Sequence, residues 1–291
     1  MNFKDLNEWY QRANHFSGGA LNIIREAVKT FSANNASQAA AALAYYAFFS
    51  LFPLLIASIA GGSYFLDSQQ IFQNVTRLLG NVIPVSNQLI DQNLRQVINA
   101  RGTVGLLSLL TLLWSGSGVF TNLAHNINLA WPKASRRNFL EQRLAGFGII
   151  GGLSLLLLLS IVLDWVITLA PVLKTLTASS STERLWRLAS NLGTWLMVFL
   201  VFLVLYRYIP TAYVHWKATF WGALIASIGW KAATAGFTWY LGFVRFQLVY
   251  GSLGAIIALL FLIFIVAIIT LFGAHLCAAI DIRQKNNVTL S

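Results

Sequence analysis

Acidic residues are scarce in this chain: 9 Asp and Glu stand among 291 residues, against 20 Lys and Arg. They are also dispersed, so the sequence shows no gathering of carboxylates of the kind that metal-assisted phosphoryl hydrolysis places around its ions. A single cysteine, Cys277, excludes an intrachain disulfide and offers no zinc-site spacing. It reads as a small apolar filler in the last helix. The four histidines, His15, His125, His215 and His275, form no HxH, HxxxH or HExxH arrangement. A nucleotide-binding loop, an internal repeat and a low-complexity tract are likewise missing. The expectation is a non-enzymatic protein with no catalytic residues, no metal site and no cofactor.

What the chain has in quantity is hydrocarbon. Hydrophobic residues make up 57% of it and charged residues 10%, too apolar a balance for the wet surface of a soluble protein of this length. Apolar stretches of about twenty residues, each long enough to cross a ~30 Å hydrocarbon layer, begin near Ala39, Thr103, Leu144, Asn191, Ala218 and Ser252. A membrane barrel needs period-two alternation, whereas "GGLSLLLLLSIVL" and "AIIALLFLIFIVAIITLF" are continuous apolar runs. The fold class expected is therefore all-α: a polytopic integral membrane protein with six transmembrane helices, one membrane domain over residues 1–291. The first apolar run starts only at residue 39, behind a polar, mixed-charge segment, so the first span is expected to be retained rather than cleaved as a signal.

The net charge of +11 raises the question of nucleic acid, and its distribution answers it. With six spans, Lys4, Arg12, Arg25, Lys29, Lys133, Arg136, Arg137, Arg143, Arg207, Lys217, Arg283 and Lys285 fall on one side of the membrane. Arg77, Arg95, Arg101, Lys174, Arg184, Arg187 and Arg245 fall on the other. The positive-inside rule then puts both termini in the cytoplasm. Anionic lipid headgroups account for this charge, and no nucleic-acid partner is expected.

Two segments outside the spans carry helical patterning. Leu21, Ile24, Val28 and Phe31 form an apolar stripe within residues 1–38. That is the pattern of a cytoplasmic interfacial helix, or of a short helix packed on the bundle. In residues 63–102 one stripe, Phe72, Val75, Leu78, Leu79 and Val82, is interrupted at Pro84 and followed by Val85, Leu89, Ile90, Leu94 and Val97. This reads as a periplasmic helical hairpin serving as a lid, a dock for envelope proteins through residues 68–98, or a structured cap.

Polar groups inside the spans are the candidate lipid or cavity residues, since a charge buried in lipid faces a cavity or a partner. Lys231 falls close to mid-membrane, about 15 Å from either interface at ~1.5 Å per residue, too far for comfortable snorkelling. Asp164 and Arg245 fall near the outer interface, paired with each other or separately wet. Arg207 sits in a short basic connection, and His275, near the inner boundary, reads as a hydrogen-bonded structural histidine. In the first span Pro53 has no N–H for the carbonyl of Phe49, which predicts a kink or local opening that Ser50 helps to satisfy. Tyr45 and Tyr46 lie about two turns earlier, as the wall of a polar cavity or as packing groups.

With these residues in view, the sequence resembles the YihY/BrkB family of bacterial inner-membrane proteins over most of its length. The resemblance is carried by "AAALAYYAFFSLFPLL" at 40–55, "YRYIP" at 206–210 followed by Trp216, Lys217 and Gly222, "VYGSLGAIIALL" at 249–260 and "LFGAHL" at 271–276. One position departs: the family commonly has an acid where this chain has His275. The resemblance implies a six-helix inner-membrane fold with cytoplasmic termini. It also brings a ribonuclease BN label, which the dispersed acids and histidines do not support, and associations with virulence and the cell envelope. The expected function is to help transport or flip an anionic envelope lipid, a phospholipid or a lipid A precursor. A membrane scaffold docking envelope proteins is the alternative from another class, and a ribonuclease the third. Oligomeric state, direction and energy source stay open.

Overall fold

The structure is a computed structural model that describes residues 19–62, 101–132, 180–243 and 253–289, with isolated positions at 138, 141 and 144. Among the described residues it is all-helical: α1 (Ala20–Ala33), α2 (Ala36–Gly62), α3 (Arg101–Asn128), α4 (Ser180–Tyr208), α5 (Trp216–Phe243) and α6 (Leu253–Thr289). Helix α1 is the one expected before the first span, and α2 to α6 cover the first, second, fourth, fifth and sixth of the expected spans. The third expected span beyond its isolated position 144, residues 63–100 of the hairpin expected over 63–102, Asp164 and Arg245 lie outside the described residues, and 101–102 begin α3. By length and composition Ile256–Asn286 is the described stretch able to cross a membrane, and Leu192–Tyr208 is a shorter apolar segment.

The helix ends follow local chemistry. Gly19 caps the start of α1 with φ 84, and the guanidinium of Arg283 occupies the space that a β-carbon there would need. A left-handed Asn35, φ 51, separates α1 from α2, the conformation that asparagine tolerates best after glycine. Helix α4 stops at Tyr208, just before Ile209 and Pro210, as a residue preceding proline is steered out of the helical region. Pro53 lies inside α2, which is helical from Ala36 to Gly62. The Ser50 hydroxyl donates to the carbonyl of Ala47 at 2.7 Å, not to the Phe49 carbonyl that the proline leaves unmatched.

The chain divides into two compact units. The first comprises residues 1–39, 123–232 and 268–291, the second residues 40–122 and 233–267. In the first, α4, α5 and α6 pack through small residues. A β-carbon on Gly222 of α5 would lie 2.6 Å from Cβ of Cys277 on α6, and one on Gly273 of α6 would meet the Tyr206 hydroxyl and lie 2.9 Å from Cβ of Ala226. Small side chains thus set how closely these backbones approach, as in membrane helix pairs where shape rather than water exclusion drives contact. Tyr206, fully buried on α4, donates to the carbonyl of Thr270 at 2.8 Å. Helix α1 packs on α6 through Ile23, Ala27 and Phe31, meeting Leu276, Ala279 and the ring of Phe272. Ile24 and Val28, two members of the apolar stripe, face outward.

The second unit leaves large apolar side chains on its surface. Tyr45, Tyr46 and Phe49 on α2 are about half exposed and form an aromatic ladder, Tyr45 4.5 Å from Phe49 and 5.8 Å from Tyr46 between ring centroids. Leu106, Leu107 and Leu110 on α3 are exposed as well, and Tyr240 of α5 lies 6.4 Å from Phe261 of α6.

Candidate functional site

The polar chemistry of the first unit concentrates around the connection between α4 and α5. This connection, residues 209–215, is held on several sides. Oδ1 of Asn128, the last residue of α3, accepts from both the backbone N–H (2.9 Å) and the hydroxyl (3.0 Å) of Thr211. The Lys285 ammonium of α6 donates to the Tyr213 carbonyl at 2.7 Å. Nearby, the Asn34 amide at the end of α1 donates to the Leu129 carbonyl at 2.9 Å.

Asp281 of α6 is the centre of this arrangement. Its side chain is fully buried, yet its carboxylate has four partners. Oδ1 accepts from the backbone N–H of His215 at 3.0 Å and contacts the same residue's Nδ1 at 2.7 Å. Oδ2 accepts from Lys285 at 2.7 Å and from the Trp131 indole at 3.3 Å. Because α5 begins at Trp216, the carboxylate sits at a helix N-terminus, where the unpaired N–H groups and the helix dipole favour negative charge. A buried charge is tolerated when it is paired and hydrogen-bonded, and each oxygen here meets that condition.

Outside this buried centre is an aromatic and basic rim. The Arg207 guanidinium stacks 5.0 Å from the Tyr213 ring centroid and 4.8 Å from that of Trp216, and donates to the Val214 carbonyl. Tyr208, Tyr213, Trp216 and Lys217 are all exposed. Amphipathic aromatics interleaved with Arg and Lys are what a protein presents at the headgroup level of a bilayer. Among the described residues no three His, Cys, Asp or Glu side chains come together as metal ligands.

Of the residues singled out in the sequence, Arg207 is part of this rim. Lys231 lies on α5 in the same unit, exposed, about 22 Å along the helix from Trp216 at ~1.5 Å per residue. His275 is buried on α6, and against expectation neither of its ring nitrogens has a hydrogen-bond partner among the described residues. Tyr45, Tyr46, Ser50 and Pro53 belong to the second unit. Asp281, His215, Trp131 and Asn128 were not picked out. The available signal was Asp281 itself, an acid ending the apolar run "LFGAHLCAAI" four residues before Lys285.

An apolar helical fold with an aromatic, basic rim marks a membrane protein, and comparison with known proteins gives its family. The family model described as virulence factor BrkB matches residues 27–290, and the chain belongs to that family. The UPF0761 membrane protein NTHI0384 of Haemophilus influenzae (strain 86-028NP) is 23% identical, covering 87% of this chain and 93% of its own. A UPF0761 membrane protein of Legionella pneumophila (strain Corby) is 22% identical over 90% of this chain, which spans 63% of that longer relative. A Bacillus subtilis (strain 168) protein named ribonuclease-like, YfkH, is 26% identical over 68% of this chain and 73% of its own. No solved structure matches the chain.

Proposed function

We propose that this chain is a non-enzymatic inner-membrane protein that binds an anionic envelope lipid, a phospholipid or a lipid A precursor, and helps it cross or leave the membrane. In this reading the chain crosses six times with both termini in the cytoplasm, and the rim around Arg207, Trp216 and Lys217 lies at the cytoplasmic headgroup level. The observation that carries the reading is Lys231. It is exposed on α5, about four helical turns from that rim, on a mostly apolar helix that carries Ser227 and Thr234 one turn to either side of it. A cation at that depth is costly unless water, protein or an anionic ligand compensates it, and a phosphate headgroup is an anion that a bilayer supplies. The rim would gather anionic lipid, Lys231 would hold the phosphate partway, and the acyl chains would stay in hydrocarbon.

The test is reconstitution of the purified protein in liposomes and measurement of transbilayer movement of anionic lipids, comparing the native chain with Lys231→Met. Movement that falls in Lys231→Met while the protein stays folded supports the reading. Equal movement in both, or none with any anionic lipid, rejects it.

A further inference from the structure

Helix α6 has 37 residues, ~55 Å at ~1.5 Å per residue, which exceeds a ~30 Å hydrocarbon core at any ordinary tilt. Part of it therefore stands at or beyond the headgroups. Contacts in the first unit fix α1 beside its C-terminal end. The Gly19 carbonyl at the start of α1 accepts from Arg283 at 2.6 Å, Ala27 packs with Leu276 and Ala279, and the Phe31 ring meets Phe272 at 5.8 Å and His275 at 5.7 Å. Helix α1 thus runs antiparallel to the end of α6. It lies at the level where Asp281 and Lys285 hold the connection that carries the aromatic and basic rim.

This packing uses only part of α1's apolar surface. Ile23, Ala27 and Phe31 face α6, whereas Ile24 and Val28 are 48% and 50% exposed. At ~100° per residue, Ile24, Val28 and Leu21 fall within ~60° of one another on one flank of the α6-facing side. Further round, Arg25 and Lys29, both exposed, follow Val28 by ~60° and ~100°. Glu26, the acid of α1, lies on the other flank, ~160° from Val28. The helix therefore presents an apolar edge bordered by its cations, with its acid turned away. A bilayer surface matches both features at once: hydrocarbon for the edge and phosphate oxygens for the cations beside it. The edge is narrow and runs straight into charge of one sign, unlike the broad apolar patch that marks a protein partner.

We propose that this flank of α1 docks on the anionic headgroup layer of the cytoplasmic leaflet. Leu21, Ile24 and Val28 enter the edge of the hydrocarbon, and Arg25 and Lys29 engage phosphate oxygens. Because the opposite side of α1 is clamped on α6, the leaflet's negative charge sets how firmly α1 holds the end of that helix. The proposal rests on the cytoplasmic placement of the rim in the reading above, but not on lipid movement or on Lys231.

The test attaches a nitroxide to the full-length protein at Ile24→Cys, Val28→Cys or Glu26→Cys, leaving the buried Cys277 in place. Collisions with oxygen, which partitions into hydrocarbon, and with a water-soluble nickel chelate are measured in vesicles of phosphatidylcholine and phosphatidylglycerol. Oxygen dominating at positions 24 and 28, with nickel dominating at 26, supports the proposal. Nickel dominating at all of them overturns it, as does exclusion of both reagents at 24 and 28, the signature of a covering segment of this chain or a second copy. A second arm reads melting midpoints in nanodiscs of the two lipids. Adding phosphatidylglycerol to phosphatidylcholine should raise the native midpoint by about 2–4 °C. The double variant Arg25→Gln, Lys29→Gln should lose at least half of that rise, and an undiminished rise overturns the proposal. Both side chains are exposed, so the double variant is expected to fold. Neither arm measures lipid movement, so failure here leaves the transport reading standing, and an unaffected Lys231→Met leaves this one standing.

Discussion

Asp281 and His215 are 66 residues apart in sequence, yet the carboxylate of one lies 2.7 Å from the ring nitrogen of the other and accepts its backbone N–H as well. This double contact ties α6 to the start of α5. It also places the acid among cations and aromatics that would otherwise have no shared acceptor.

Removing that acceptor is expected to destabilise the first unit. Asp281→Ala leaves the His215 N–H, the Trp131 indole and the Lys285 ammonium without their common partner, a loss on the order of 2–3 kcal/mol once the half-exposed lysine and histidine are rehydrated. Asp281→Asn keeps an acceptor for His215 and should lose less. Thermal unfolding of the three purified proteins in one detergent gives the ranking, and a native-like midpoint for Asp281→Ala would show that the cluster contributes little.

Two glycines on α5 should respond oppositely to a methyl group. Gly222→Ala forces Cβ into Cys277, backbone included, whereas a β-carbon at Gly236 meets nothing within 4 Å. Gly222→Ala is expected to lower folded yield, and Gly236→Ala to be neutral or to stabilise by up to about 1 kcal/mol, the helix penalty of glycine. Size-exclusion profiles and melting midpoints of the two variants decide this.

The single cysteine supplies a built-in reporter. Cys277 is fully buried against Gly222 and Thr219, so a maleimide should label it slowly in the folded protein and quickly on denaturation. In Asp281→Ala labelling should accelerate, because Asp281 is one helical turn away on α6. Rapid labelling of the native protein would contradict this packing.

The helices were legible because their signal is local. Leu21, Ile24, Val28 and Phe31 predicted α1 by spacing alone, but spacing does not say which side of the stripe finds a partner. Ala27, too small to weigh in an apolar pattern, proved to be the residue fully buried against α6. Pro53 predicts a kink or local opening, and the helix runs through it from Ala36 to Gly62, since losing one hydrogen bond in a long helix does not require ending it. The Asp281 centre was not legible. Its members come from the turn after α3, the connection between α4 and α5, and α6, and no local spacing links Trp131, His215 and Asp281. His275 drew attention as a departure from a family pattern, but the want of any partner for its nitrogens is a property of packing alone.

The Asp281 cluster also changes what the chain's charge means. A formal count of +11 suggests a strongly attractive face, but Lys285 is committed to Asp281 and the Tyr213 carbonyl, and Arg283 to Gly19. Lys285 is offset by the carboxylate it is paired with and so fastens the fold without adding to the field an approaching anion feels at this end, whereas Arg283, bonded to a neutral carbonyl, keeps its full charge.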